Sequence, residues 1–297
     1  MANSPIGITD LIYAGGKYVV TTTNNATPIL ISANGAEWDS TISYTPVRTA
    51  TSQSLSMNGV TYNNGLYVAV GDNVISSIDL NTWTSVYEFP NNGLVNTLND
   101  VAYVSNAGFT GFVGVGLGQR YVAGQAVSAG IIYASPGSAT AWSMTSFNQT
   151  EYGLNAVTSN GQTIVAVGDN GLVYTSFNTY DWYLQASGVS ENLNNIIWDS
   201  VNNIFVAVGN NGTIITAPID GATWSDYTDT GVTSEDLESV LYNNDSSEYI
   251  IVGFNNTVLT SVDAETWTLS ANFETIPTVY TLYKVTHLLL VMVRKNL

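Results

Sequence analysis

Short apolar runs separated by polar turns recur along almost the whole chain. One such run, of the YVAVG type, is found at 67–71, 164–168, 205–209 and 249–253. Runs of this length that are rich in β-branched residues and bounded by Gly, Asn and Asp are typical of strands. Because these runs are apolar at nearly every position, they predict strands buried on both faces. Sustained 3.6-residue periodicity is missing, so we expect almost no helix.

Each apolar unit leads into a turn that ends in tryptophan. The six turns occupy 32–38, 77–83, 135–142, 176–182, 217–224 and 261–267. They end at Trp38, Trp83, Trp142, Trp182, Trp224 and Trp267. A period of about 40–45 residues built from short strands is typical of propeller blades. The sequence therefore predicts an all-β propeller of four-stranded blades with six complete repeats and a partial seventh that starts at 278–284. A seven-bladed ring is favoured, with a six-bladed ring as the alternative.

The repeat also sets the expected domain boundaries. Residues 1–7 form a lead-in, 8–283 the propeller, and 284–297 an aberrant tail that completes or caps the last blade. The tail holds three of the six basic residues and the only histidine, His287. It is interpreted either as a final edge strand or as the product of a shifted reading frame.

The tryptophan turn resembles the Asp-box of sialidase-like propellers. Asp263 keeps the acid of that motif and Asn34 its amide, whereas the third unit lacks both and Ala217 replaces the serine of the fifth. The resemblance implies a structural turn on the face opposite the usual active site. Sialidases hold their substrate carboxylate with three arginines, but before residue 284 the only cations are Lys17, Arg48 and Arg120. Sialidase activity is therefore excluded.

The whole pattern over 8–283 also resembles the propellers of tailed-bacteriophage virion proteins. It shares the VAVGDNG and tryptophan features of photosystem-assembly propellers, but neither the basic patch nor the export signal of that family is predicted here. The phage resemblance implies a non-enzymatic tail, fibre or host-recognition component, located in the virion or otherwise in the cytoplasm. Its partners would be other virion proteins or a host-surface glycan or protein, and a homo-oligomer is possible. The alternatives are a glycoside hydrolase that uses a carboxylate pair and a bacterial assembly scaffold.

Charge and composition remove several function classes. The 297 residues include 23 acids and 6 bases, for a net charge of −17. So acidic a chain repels nucleic-acid backbones. Without cysteine, and with a single histidine, it offers no thiol chemistry and no Ser-His-Asp triad. We expect no cofactor and no metal. The acids at 226, 229, 235, 236 and 238 could supply calcium ligands, but their spacing matches no EF-hand loop, which favours a solvated loop between blades. The sequence predicts neither a signal peptide nor a membrane-spanning run.

One insertion marks the expected binding face. The third repeat is longer than the others because of the segment 114–132, which replaces the tight turn between the second and third strands. We expect it to protrude on the face that also carries the connections between blades. The candidate partner- or glycan-binding residues are Arg120, Tyr121, Tyr87, Phe89, Phe147 and Tyr152. Exposed aromatics with an arginine are typical of interaction hot spots, but the same aromatics can instead pack beneath the loops.

Overall fold

The fold is known from a computed structural model, which describes residues 7–40, 42–45, 56–89, 94–145, 151–228, 231–270, 280–281 and 293–294. Within these ranges the regular structure is β, apart from the single 3-10 turns Asp169–Gly171, Asn210–Gly212 and Phe254–Asn256. This confirms the prediction of an all-β chain with almost no helix.

Six larger sheets, and one two-stranded sheet formed by the last two strands, follow one another along the described part of the chain. The first half contains β1 (Ile8–Ala14), β2 (Lys17–Thr22), β3 (Ile29–Ser32), β4 (Ser43–Thr45), β5 (Met57–Asn63), β6 (Leu66–Gly71), β7 (Asn73–Ser77), β8 (Thr82–Glu88), β9 (Thr97–Ser105), β10 (Thr110–Val122), β11 (Gln125–Pro136) and β12 (Ser143–Met144). The second half contains β13 (Leu154–Ser159), β14 (Ile164–Gly168), β15 (Val173–Ser176), β16 (Trp182–Gln185), β17 (Leu193–Asp199), β18 (Ile204–Gly209), β19 (Ile214–Pro218), β20 (Ser225–Asp226), β21 (Leu237–Asn243), β22 (Glu248–Gly253), β23 (Val258–Ser261), β24 (Thr268–Leu269), β25 (Tyr280–Thr281) and β26 (Val293–Arg294).

Each of the six larger sheets forms one blade, whose own strands pair antiparallel. Blades 2 to 6 contain β5–β8, β9–β12, β13–β16, β17–β20 and β21–β24, so the predicted six-repeat propeller of four-stranded blades is confirmed. Blade 1 differs, because its sheet contains only β1–β3 and its fourth position is an isolated bridge between Ile31 and Asp39. The next segment, β4, pairs in parallel with β8 at the outer edge of blade 2. The outer rims of blades 1 and 2 are therefore joined.

The hydrophobic core lies between neighbouring blades. The second strand of each blade is buried almost throughout, as β14 and β18 show, and contributes side chains to the clusters on both of its sides. At the interface of blades 1 and 2, for example, Ile12 and Val19 pack in one cluster with Val60, Ala69 and Trp83. In blades 2, 4 and 5 the centre of this strand is a small buried residue, Ala69, Ala166 or Ala207, which leaves room where the blades converge.

Blade 6 meets blade 1 through a smaller cluster. Leu241 and Ile250 of blade 6 pack in one cluster with Leu11 and Val20 of blade 1. The strand β25 pairs with β26 and lies against the turn Phe254–Asn256 of blade 6. The seventh blade stays a prediction, because most of the residues at 271–297 lie outside the described ranges.

A ladder of side chains joins the inner strands around the ring. The first strand of one blade uses an asparagine amide to donate a hydrogen bond to a backbone carbonyl of the next blade. The four asparagine bonds run from Asn58 to Leu98 (3.0 Å), Asn99 to Leu154 (2.9 Å), Asn155 to Leu193 (3.0 Å) and Asn194 to Leu237 (2.9 Å). In blade 1, Thr9 donates to the carbonyl of Met57 at 2.6 Å. These bonds satisfy carbonyls at the free inner edge of each sheet.

The tryptophan turns are closed by their own polar side chains. In the first turn the Ser32 hydroxyl accepts the N–H of Gly35, the Asn34 carbonyl oxygen accepts the N–H of Glu37, and the Trp38 indole donates to the Gly35 carbonyl. The residue three positions before the tryptophan has a positive φ in every unit, and φ is 74° at Gly35. Such a conformation favours glycine, yet non-glycine residues adopt it in four units, with Leu80, Ala139, Thr179 and Ala264.

Candidate functional site

The ring has two different faces because the strands of a blade alternate in direction. We call the face that carries the turns after the first and third strands the tryptophan-turn face. We call the opposite face, with the turns after the second strand and the links between blades, the connection face. The inner strands run from the connection face to the tryptophan-turn face and line the central channel.

The insertion of the third repeat forms a long hairpin on the connection face. It lengthens β10 and β11, which pair out to Val122 and Gln125. The tip is a two-residue turn with positive φ at Ala123 (51°) and Gly124 (83°), the combination that type I′ hairpins require. The Tyr121 ring is 57% exposed, and Arg120 beside it is also exposed.

The other candidates on this face have different environments. Phe89 is only 6% exposed, and its ring lies 5.2 Å from the ring of Tyr133 and 5.4 Å from that of Tyr87. Burial raises the pKa of Tyr133 far above its ordinary value, with a smaller contribution from Tyr87. Tyr87 and Phe89 therefore pack beneath the loops, in the core between blades 2 and 3. Tyr152 is exposed, and Phe147 lies outside the described residues.

A ring of aromatic side chains surrounds the channel on the tryptophan-turn face. The same position near the end of the inner strand is aromatic in five of the six blades. These residues are Tyr13, Tyr62, Tyr103, Trp198 and Tyr242, and blade 4 has Ser159 instead. Tyr13 is 44% exposed, whereas the other four are half-buried. We call these five residues the aromatic mouth.

Each member of the aromatic mouth packs, with its ring tilted or edge-on, against an aromatic residue of the second strand of its own blade. The five ring pairs are Tyr13–Tyr18 (4.6 Å), Tyr62–Tyr67 (4.6 Å), Tyr103–Phe112 (5.3 Å), Trp198–Phe205 (4.7 Å) and Tyr242–Tyr249 (4.7 Å). Two of the supporting tyrosines also reach the preceding blade. The Tyr67 hydroxyl donates to the Ala14 carbonyl at 2.8 Å, and the Tyr249 hydroxyl donates to the buried carboxylate of Asp199. Burial, and secondarily the neighbouring Tyr62, raise the pKa of Tyr67. The mouth is thus held in place by a packed second layer.

The mouth opens into a cavity of about 510 Å³ in the central channel. The inner strands of blades 1 to 5 line it, including four members of the mouth and Ser159. Deeper in the channel the cavity reaches Asp10, Asp100 and Asn195. A volume of this size falls within the range of ligand sites in proteins.

These three polar residues occupy the same position in blades 1, 3 and 5, and each accepts a backbone N–H from the next blade. Asp10 accepts from Val60 at 2.9 Å, Asp100 from Val157 at 2.9 Å, and the Asn195 carbonyl oxygen from Val240 at 3.2 Å. Each carboxylate also accepts the N–H of the following residue, whereas no such bond is found for the described Asn195. The alternate blades have small residues there, namely Gly59, Ala156 and Ser239.

Gly59 shows why the alternate positions are small. A Cβ at this position would lie 2.9 Å from Cα and 3.2 Å from the carboxylate oxygen of Asp100 in blade 3. A larger side chain at Gly59 would collide with the neighbouring inner strand of blade 3. At this position of the inner strands, blades that carry a hydrogen-bond acceptor therefore alternate with blades that carry a small residue.

Positive charge is scarce throughout the described part of the chain. Among the side chains that the structure describes, only Lys17 and Arg120 are basic, and both are exposed. The acids considered for calcium hold backbone and amide groups instead: Asp236 accepts the N–H of Asn211 at 3.0 Å, and Glu235 accepts from Asn255 at 2.7 Å. No group of three or more His, Cys, Asp or Glu side chains that could hold a metal occurs among the described residues. No described helix is long and apolar enough to cross a bilayer.

The candidate residues that the sequence predicts lie on the connection face where the structure describes them, and that prediction stays open. The residues of the aromatic mouth, on the opposite face, are not among them. One signal was available, because Trp198 is the only tryptophan outside the six turns. Aligning the repeats on their inner strands brings it into register with Tyr62 and Tyr103, as LIY, VTY, VAY, IIW and VLY. Alignment of the repeats on the turn tryptophans instead compares residues at the outer rim of the ring.

No protein-family model matches the chain, and no curated protein sequence matches it. Solved structures do. A structure described as YCF48 bound to D1 peptide has a TM-score of 0.65 and 16% identity, covering 95% of this chain and 86% of that one. YCF48 from Cyanidioschyzon merolae has a TM-score of 0.62 and 13% identity, with coverage of 96% and 90%. The WD40 propeller domain of Doa1 has a TM-score of 0.57 and 10% identity, with coverage of 94% and 85%. The chain therefore has a β-propeller fold similar to that of these proteins.

Proposed function

We propose that this protein is a non-catalytic binding propeller whose aromatic mouth takes an extended polypeptide segment of a partner protein. The observation that carries the proposal is the set of five aromatic side chains at one position of the inner strands, which blade 4 alone lacks. Four of the five line a single cavity. Tyrosine and tryptophan provide large contact areas with few rotatable bonds, which is why they dominate binding hot spots.

The architecture of the channel favours a polypeptide as the ligand. Each inner strand is an edge strand of its sheet, so part of its backbone has no pairing strand on the channel side. An extended chain can use such backbone groups for hydrogen bonds while its side chains occupy pockets between the aromatics. A propeller of similar fold, YCF48, has been seen with a bound peptide. The side chains of the mouth are already packed against aromatic residues of the second strands, so binding would require little further ordering of these side chains.

The proposal is tested with the full chain on a microarray of random dodecapeptides. The test variant is the double substitution Tyr62→Ala with Trp198→Ala, which removes two members of the mouth that are half-buried. The matched control is Tyr180→Ala, since Tyr180 is an aromatic residue 69% exposed on the outer rim of blade 4. We expect the wild type and the control to share a set of bound peptides that the double variant loses by at least about tenfold, because two hot-spot aromatics together contribute on the order of 2 kcal/mol or more.

Two outcomes would refute this function. One is retention of the bound set by the double variant while a variant with Arg120→Ala and Tyr121→Ala loses it, which would move the site to the hairpin of the connection face. The other is that a glycan array, probed in parallel, shows mouth-dependent binding while the peptides show none. Both variants are checked by thermal unfolding so that loss of fold is not mistaken for loss of binding.

The more specific role, in a phage virion or in host-surface recognition, stays part of the proposal. The Asn-, Ser- and Thr-rich loops and the low content of basic residues support it. The genes that flank the coding sequence test it directly. Tail and capsid genes on both sides would support the virion role, and a neighbourhood of metabolic or assembly genes would count against it.

A further inference from the structure

We infer that the segment recognised at the aromatic mouth presents a basic side chain, arginine or lysine, that enters the channel towards Asp10 and Asp100. This inference rests on the proposed function and names the chemistry of the partner. It follows from the charges at the inner end of the cavity, from the aromatic rings at its opening, and from the overall charge of the chain.

Asp10 and Asp100 are among the residues that line the cavity, three residues before Tyr13 and Tyr103 on the same inner strands, and they are 1% and 6% exposed. Each is held by two backbone N–H groups, so its orientation is fixed. Two fixed negative charges inside a narrow protein channel act on an incoming charge more strongly than surface carboxylates do, because the surrounding dielectric is low.

The opening of the cavity suits the same ligand. The face of a tyrosine or tryptophan ring attracts a guanidinium or ammonium group, and the attraction is strongest where water is excluded. The cation therefore finds aromatic faces at the entrance and negative charge beyond them. The aliphatic part of arginine or lysine can pack against the rings while the charged end goes deeper.

The whole chain favours a basic partner. With a net charge of −17, its field attracts cationic segments and repels acidic ones. Lys17 and Arg120 are the only basic side chains among those that the structure describes, and Arg120 lies on the other face. The expected partner segment is thus extended and basic, with at least one arginine or lysine at its centre.

The third polar residue of the inner ring provides an internal comparison. Asn195 occupies in blade 5 the position that Asp10 and Asp100 occupy in blades 1 and 3, and it accepts the corresponding N–H from the next blade. An asparagine is therefore compatible with the fold at this position. Asp10→Asn and Asp100→Asn each remove a charge, and Asn195→Asp adds one at an equivalent place.

The experiment uses the full chain and four probe peptides, acetyl-Gly-Gly-X-Gly-Gly-amide, in which X is arginine, lysine, citrulline or norleucine. Binding is followed by the NMR signal of the Trp198 indole N–H, assigned with Trp198→Phe. We expect the arginine and lysine probes to bind more tightly than their neutral counterparts. Because one desolvated cation–carboxylate contact is worth on the order of 1 kcal/mol, each Asp→Asn variant should weaken them about three- to tenfold. Asn195→Asp should tighten binding by a similar factor, and Asp181→Asn, a charge loss on the outer rim, should change it by less than about twofold.

Equal binding of charged and neutral probes overturns the inference, and so does an unchanged affinity in Asp10→Asn and Asp100→Asn. Failure of all four probes to bind overturns it as well. The proposed function is judged separately on the peptide array. One outcome of the array is a set of bound peptides that depends on Tyr62 and Trp198 but shows no enrichment in basic residues. That result would support the mouth as a polypeptide site and would overturn the inference that the bound segment carries a basic side chain.

Discussion

Asp100 gives the most quantitative test of how the inner ring is held together. Its side chain is 6% exposed and accepts two backbone N–H groups, from Val101 in its own blade and from Val157 in the next. Both bonds measure 2.9 Å, and both donors belong to buried valines. Replacing Asp100 by alanine removes both acceptors at once, whereas asparagine keeps one.

The expected cost follows from the two donors. A buried donor left without a partner costs about 1–3 kcal/mol, so Asp100→Ala should lower the free energy of unfolding by about 2–6 kcal/mol. Water in the adjacent cavity can reach the freed N–H groups, which favours the lower half of that range. Asp100→Asn should cost about half as much, since its single carbonyl oxygen can accept one of the two bonds.

Denaturation in guanidinium chloride, followed by tryptophan fluorescence, measures these differences. The matched control is Asn195→Ala, which removes only one inter-blade acceptor and should cost about 1–3 kcal/mol. Hydrogen exchange adds a local measurement, because protection of the Val157 amide should fall in Asp100→Ala. Two results together would refute the assignment of two structural bonds to this carboxylate. The free energy of unfolding would fall no further in Asp100→Ala than in Asn195→Ala, and the Val157 amide would stay protected from hydrogen exchange.

Three other substitutions test neighbouring features. Gly59→Ala places a Cβ 2.9 Å from the Asp100 backbone and should destabilise the fold by about 1–3 kcal/mol in a denaturant titration; an unchanged midpoint would contradict the close approach. Tyr249→Phe removes the hydroxyl that donates to buried Asp199 and should cost about 1–3 kcal/mol; a neutral effect would show that this bond is dispensable. Backbone N–H groups of the turn lower the pKa of Asp263 to about 2, so its stabilising contribution is complete above its unfolded pKa of about 3.9 and is lost as the pH falls through 2. In Asp263→Asn this acid-dependent loss should shrink in thermal melts between pH 5 and pH 2, and identical pH profiles would argue against it.

Much of the fold can be predicted from the sequence because each blade repeats the same local signals. The buried second strand and the turn that ends in tryptophan are encoded within about 40 residues, and the structure confirms both. The exception is β4, which leaves blade 1 to pair with β8 of blade 2. Its three residues contain nothing that distinguishes one neighbouring edge from another, so the choice depends on tertiary contacts.

The candidate site was harder to predict because it is assembled from residues far apart in the sequence. Tyr13 and Trp198 share a cavity only after the ring has formed, and each one alone is an ordinary strand aromatic. Conversely, the position of Phe89 in a connection between blades predicts an accessible side chain, yet its ring is packed against Tyr133. A polar or glycine-containing segment does not reveal whether its aromatic residue points into the core or away from it.

The central claim is that the aromatic mouth is where a polypeptide partner binds. Ser159 allows a direct measurement, since it lines the cavity at the one position of the ring that is not aromatic. A benzoylphenylalanine placed at position 159 should crosslink to the peptides selected on the array, and the same photoreactive residue at position 121, on the opposite face, should not. Crosslinking at position 121 with none at position 159 would contradict the account.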